Sequence, residues 1–203
     1  PKQEESLLAF MEQDAVYKKY RDEVIILLGT GLRISEFCGL TTALDFKNRQ
    51  INVDHQLLRD ADIGYYIETP KTKNGIRQIP MSEEVYQALK RVLKNRGNAA
   101  PFSVEGYKNF LFLKNDGMPK VSANYDSMLK GLVKKYNKQN KEQLPNITPH
   151  ILRHTFCTRL ANAGMNPKAL QYIMGHANIT MTLNYYAHAT YDSAKAEMER
   201  LAA

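Results

Sequence analysis

Helix punctuation leaves the last third of this chain little choice of fold. Thr148 is followed by Pro149 and Asn166 by Pro167, while Gly164 and Gly175 close the two intervals. A threonine or asparagine side chain accepts from the free N–H groups of a first helical turn, and proline at the first helical position loses no bond. Glycine stops a helix because it enters the left-handed region without a steric penalty. Two short helices are therefore expected at about 149–163 and 167–174. Their core sides carry Leu152, Thr155, Phe156, Leu160 and Ala161, then Ala169, Leu170, Ile173 and Met174. Asn178 or Thr180 opens a third helix containing Leu183, Tyr185 and Tyr186. A final amphipathic helix is expected from about Tyr191 to Leu201.

Upstream, 6–28 carries apolar residues at helical spacing, and GTGLRISEFCGL (29–40) reads as a turn punctuated by Gly29 and Gly31, then a short helix ending at Gly39. An arginine at that helix start, Arg33, sits beside free backbone N–H groups and suits an anion; it equally suits a surface ion pair with Glu36. From 43 to 80 the period changes to strand-like, giving a small antiparallel sheet of about three strands. Its last hairpin, PKTKNGIRQIP, presents Lys71, Lys73 and Arg77 at a tip. A basic tip is either a solvated loop or a finger that reaches into DNA. Ser82 caps a helix to Asn95, residues 96–108 form a connector, and Ser122 or Asn124 caps a helix that ends in the basic run KKYNKQNKEQ. The class is α+β, mostly helical, with the sheet packed on a helical bundle and residues 1–203 as a single domain. A start at Pro1 without methionine suggests a piece of a longer protein.

Composition narrows the partner. Twenty-eight Lys and Arg against 21 Asp and Glu give a net charge of +7. That balance favours a polyanion, either nucleic acid or an anionic membrane surface. No apolar run reaches the roughly 18–20 residues of a membrane span. Two distant cysteines, Cys38 and Cys157, point to a reduced, cytoplasmic protein.

Chemistry concentrates at HILRHTF and its surroundings. His150 and His154 are four apart and invite a zinc reading, but Ile151 stands where the catalytic glutamate would be and no nearby carboxylate completes a ligand set. No metal is expected, and His154 reads as a core histidine. His150 and Arg153 share one helix face. Arginines, lysine, histidines and tyrosine together suit metal-free phosphoryl transfer: guanidinium groups clamp phosphate oxygens and a phenol attacks phosphorus.

The segments GTGLRISEFCGL, PKTKNGIRQIPM, HILRHTF and MGHANITMTLNYYAH together resemble the boxes of the tyrosine recombinases, the phage-type integrase family, most closely those of conjugative transposons. The resemblance spans nearly the whole chain as that family's catalytic domain. It implies DNA cleavage and rejoining through a 3′-phosphotyrosine, without cofactor, metal or ATP. By the same resemblance Arg33 and Arg153 grip the scissile phosphate, and Glu36 supports them. Lys71 protonates the leaving 5′-oxygen, with Lys73 as the alternative. His150 bonds the phosphate or shuttles a proton, and His176 contacts the phosphate. Ten residues beyond His176, Tyr186 within the pattern Y-x-H is the nucleophile, leaving Tyr185 for packing or a DNA contact. Lys73 and Arg77 are expected to bind DNA. The partners implied are double-stranded DNA and further copies of the chain in a tetramer, with the tail helix 191–203 exchanged between protomers. The family's N-terminal core-binding and arm-binding domains are expected to lie outside this fragment.

Overall fold

The computed structural model describes residues 2–70, 75–186, 194–195 and 198–200. It begins with α1 (Lys2–Gln13), α2 (Arg21–Thr30) and α3 (Ile34–Gly39). Strands β1 (Gln50–Val53), β2 (Gln56–Asp60), β3 (Gly64–Glu68) and β4 (Arg77–Pro80) follow. Next come α4 (Glu83–Asn95), the short strands β5 (Ser103–Val104) and β6 (Tyr107–Lys108), and α5 (Ser122–Gln139). Helices α6 (Pro149–Asn162), α7 (Pro167–Met174) and α8 (Ile179–Leu183) lead to a 3-10 turn at Asn184–Tyr186. The architecture is the mostly helical α+β class. No helix among the described residues is long and apolar enough to cross a membrane.

The caps act as their sequence suggests. Thr148 Oγ1 accepts from Ile151 N at 3.3 Å, and Asn166 Oδ1 accepts from Lys168 N at 2.9 Å. Ser82 Oγ takes Val85 N at 3.3 Å and Asn178 Oδ1 takes Thr180 N at 2.9 Å. For α5 the cap position is Val121, and the Asn124 side chain reaches back to accept its N–H at 2.8 Å. That helix also absorbs the first part of the basic run, continuing to Gln139.

Three expectations change. The 6–28 helix is two helices, because Asp14 Oδ1 accepts from Val16 N and Tyr17 N at 2.9 and 3.1 Å and offers the backbone a turn instead. Gly29 lies inside α2, where a Cβ would stand 2.4 Å from Val85 of α4. The described residues of 50–80 hold four strands in two antiparallel pairs. β2 pairs with β3, from Gln56↔Glu68 to Asp60↔Gly64, and β1 pairs with β4, from Gln50↔Pro80 to Val53↔Arg77. β3 and β4, consecutive in sequence, therefore belong to different pairs.

The main core runs from Leu7 and Met11 through Val24–Leu28 to Phe37, the 110–112 run and the inner face of α5. Phe37 stacks on Phe112 at 4.0 Å and meets Tyr125 edge-on at 5.4 Å. Burying a side chain of this size contributes roughly 1.5–3 kcal/mol. Phe37 therefore pins α3, and with it the neighbouring Glu36. A smaller cluster of Phe156, Cys157, Ala161, Leu170 and Met174 holds α6 against α7.

Candidate active site

Three helix ends meet at one small cavity. Gly31 takes the left-handed conformation (φ 62°) that ends α2, which turns the chain so that Arg33 starts α3. Glu36, one turn along, reaches back to accept Arg33 N at 2.9 Å and its Nη1 at 2.8 Å. The Thr148 cap starts α6 with His150 exposed and Arg153 buried. Arg153 Nη1 donates to Gly31 O and its Nη2 to Met174 O at 2.6 Å. Gly175, again left-handed (φ 60°), ends α7 and delivers His176, whose Nδ1 pairs with Thr182 Oγ1 at 2.9 Å. Arg33 Nη2 donates to Gly175 O at 2.9 Å. The resulting cavity, about 300 Å³, is lined by Arg33, His150, Arg153, His154, His176 and Tyr185 among others.

The electrostatics suit an anionic ligand. Each guanidinium has five N–H donors; Arg33 and Arg153 each commit two nitrogens to neighbouring protein groups, and both line the cavity. Burial lowers the Arg153 pKa to about 10, helped by the Arg33 charge, so it stays cationic at neutral pH. Burial, then the Arg153 and Arg33 charges, push His176 down to about 4. It is thus a neutral imidazole at pH 7. When Thr182 donates to its Nδ1, its Nε2 carries the hydrogen and serves as a donor. Burial opposes ionisation of Glu36, but Arg77 and Arg33 outweigh it and hold the carboxyl below its ordinary range.

Arg33, His150, Arg153 and His176 are therefore brought together, with Glu36 bonded to Arg33 behind them. Lys71 and Lys73 lie outside the described residues. Arg77 is a correction. It is not at a solvent-facing tip: its side chain has 0% exposure and its donors go to Glu36, Ile173 O and Gly75 O. The cause is the β1–β4 pairing, which turns position 77 inward. Tyr186 is not brought to the cavity; its hydroxyl donates to Met165 O in the turn between α6 and α7. Burial, reinforced by Cys157, raises its pKa. The neighbouring Tyr185 lines the cavity instead, 5.0 Å from the His154 ring and 6.5 Å from that of His176. The His154 expectation also fails. It is exposed, because α6 turns this position toward the cavity mouth rather than the core. Thr182, fully buried on His176, had no sequence signal beyond its place in α8.

A larger cleft of about 760 Å³ lies elsewhere, walled by Tyr20, Asn95, Lys114 and Lys120. Two of its lysines are paired, Lys120 with Glu23 at 2.6 Å and Lys114 with Asp116 at 2.9 Å, and Lys19 lies 5.0 Å from the Tyr20 ring. The smaller cavity is the one on which two arginines and three histidines converge.

Residues 1–193 match the Phage integrase family, and the chain belongs to that family. More particularly, it is 69% identical over 200 residues to the transposase from transposon Tn916 of Enterococcus faecalis, covering 98% of this chain and 49% of that protein. It is 32% identical over 193 residues to tyrosine recombinase XerA of Pyrococcus horikoshii, covering 91% of this chain and 59% of that one. Among solved structures, the Tn1549 transposon integrase in complex with a circular intermediate DNA superposes with a TM-score of 0.94 at 66% identity, covering 99% of this chain and 64% of that chain. The chain thus spans about half the length of its curated transposase relatives.

Proposed function

We propose that this chain is the catalytic part of a site-specific DNA recombinase of a mobile element, cutting and rejoining DNA by transesterification to excise and integrate the element. The observation that carries it is the convergence of Arg33, His150, Arg153 and His176 on one cavity. Membership of the integrase family supports it, as does likeness to a transposon integrase solved with DNA.

In the forward step the phenolic oxygen of Tyr186 attacks the scissile phosphorus, and the bond from phosphorus to the 5′-oxygen breaks. Charge on the equatorial phosphate oxygens falls to Arg33 and Arg153. His176, neutral, donates a hydrogen bond, and His150 bonds the phosphate or carries the phenol proton. Lys71, or Lys73, supplies a proton to the leaving 5′-oxygen. A 5′-hydroxyl from another strand then reverses the step. The diester energy is kept in the phosphotyrosine, so neither metal nor ATP is consumed.

Tyr186 must leave the Met165 carbonyl to act. The position of Tyr185 in the cavity favours a second reading, in which Tyr185 attacks. The partners are double-stranded DNA and, in the finer form of the proposal, three further copies with exchange of the tail 191–203. The work is done in the cytoplasm, where the DNA is.

A nicked suicide duplex tests this. Wild type should trap a covalent protein–DNA adduct, Tyr186→Phe should trap none, and Tyr185→Phe should still do so. An adduct with Tyr186→Phe and none with Tyr185→Phe moves the nucleophile to Tyr185. No adduct from wild type joined to the remainder of its protein overturns the recombinase reading.

A further inference from the structure

Three arginines are tied to three consecutive carbonyls at the end of α7. Arg77 Nε donates to Ile173 O at 2.7 Å, Arg153 Nη2 to Met174 O at 2.6 Å and Arg33 Nη2 to Gly175 O at 2.9 Å. The partial negative charge of a helix C-terminus favours such cations. Two of the three line the cavity. Arg77 does not, yet its side chain is wholly enclosed.

Its geometry says what it is for. Nη1 and Nη2 grip the two Glu36 oxygens at 3.0 and 2.8 Å, and Glu36 in turn holds the backbone and side chain of Arg33. The planar guanidinium matches a carboxylate edge-on, which a lysine does not. A purely structural role gains little from a buried ion pair, because apolar residues of equal volume often serve as well or better. The contact is also tight: a Cβ at Gly175 would stand 2.9 Å from Arg77 Nη1.

We propose that Arg77 is a positioning residue for the recombination chemistry. It fixes the orientation of Glu36, and through it aims Arg33 at the scissile phosphate. This rests on the recombinase reading above.

The test is Arg77→Lys in the full-length protein with its DNA. Adduct formation on the suicide duplex should slow about 10–100-fold, the scale expected for a misplaced clamp. The dissociation constant for the same DNA should change less than about threefold, and the Arg33 Nε–H resonance should shift in NMR spectra. Combining Arg77→Lys with Glu36→Gln should be no slower than Glu36→Gln alone, since one acts through the other. Equal losses in affinity and rate, an unchanged rate, or a multiplicative double variant would overturn the proposal. Should Arg77→Lys not fold, Arg77→Gln with Glu36→Gln removes both buried charges. A rate matching Glu36→Gln alone then supports it and a further drop overturns it. If wild type itself forms no adduct, the recombinase reading falls separately. The Arg33 resonance then decides the positioning claim, and an unmoved signal overturns it.

Discussion

Glu36→Gln is the most informative single change. Four N–H donors converge on the two Glu36 oxygens: Arg33 N and Arg77 Nη2 on Oε2, Arg33 Nη1 and Arg77 Nη1 on Oε1. The amide keeps the volume but makes one of those acceptors a donor, so two of the four bonds become donor against donor. Arg77 then keeps its enclosed charge with no counter-ion. Removing one partner of a buried pair costs about 3–5 kcal/mol. The Arg33 side chain is 39% exposed and water screens its share, which favours the lower end, about 3 kcal/mol. For a chain of 203 residues that corresponds to a fall in Tm of roughly 6–12 °C. Urea and thermal unfolding from pH 7 down to pH 3 measure it. The folded Glu36 carboxyl lies below its ordinary 4.5, so its stabilisation is complete above that pH and is lost as pH falls through the folded value. The gap between wild type and variant should therefore stay open until pH 4.5 and close below it. A gap under about 1 kcal/mol at pH 7, or one that closes by pH 6, refutes the reasoning.

Other outcomes follow from single contacts. Gly31→Ala puts a Cβ 2.3 Å from the Phe156 ring at a φ of 62°, and should cost about 2–4 kcal/mol by urea unfolding. Thr148→Ala removes the cap of the helix that carries His150 and Arg153. It should cost about 1 kcal/mol in the same assay, and a value near zero would mean that the cap is idle. His176 should stay neutral in an NMR titration until about pH 4, against an ordinary 6.5. Stability should accordingly decline as pH drops from 6.5 toward 4, and His176→Gln should flatten that decline. A midpoint near 6.5 would show that burial does not govern this ring.

What the sequence made legible was local. Thr148, Pro149, Asn166, Gly175 and Asn178 act within a turn of their own position, so their helices could be read without tertiary knowledge. The Asp14 break was equally local and is visible in hindsight as a side chain that competes for backbone donors. Strand partners were not legible. The β1–β4 pairing joins residues about 27 apart and puts β3 and β4, neighbours in sequence, into different pairs. Everything that depends on that pairing was misread with it: Arg77 looked like a charged tip because its neighbours in sequence are lysines, whereas its neighbours in space are a carboxylate and a helix end. The site residues came from the resemblance of four ordered segments, and the fold brings four of those side chains to one cavity. Tyr186 differs, because nothing in its spacing from His176 tells whether its hydroxyl faces a phosphate or the Met165 carbonyl.

The α7 carbonyls carry one more consequence, for which changes in chain length this fold can absorb. Ile173, Met174 and Gly175 each receive a different arginine, and those arginines arrive from β4, α6 and the start of α3. Such a segment is indexed residue by residue. Inserting or deleting one residue between Pro167 and His176 would offer every arginine the wrong oxygen at once, and no rotamer change restores three matches together. The exposed β2–β3 turn at 61–63 bears no such indexing, its backbone donors at 62 and 63 bonding only to Asp60 of the same hairpin, and it can take extra residues. Variation in length should therefore be tolerated in that turn, while the ten positions 167–176 keep their count.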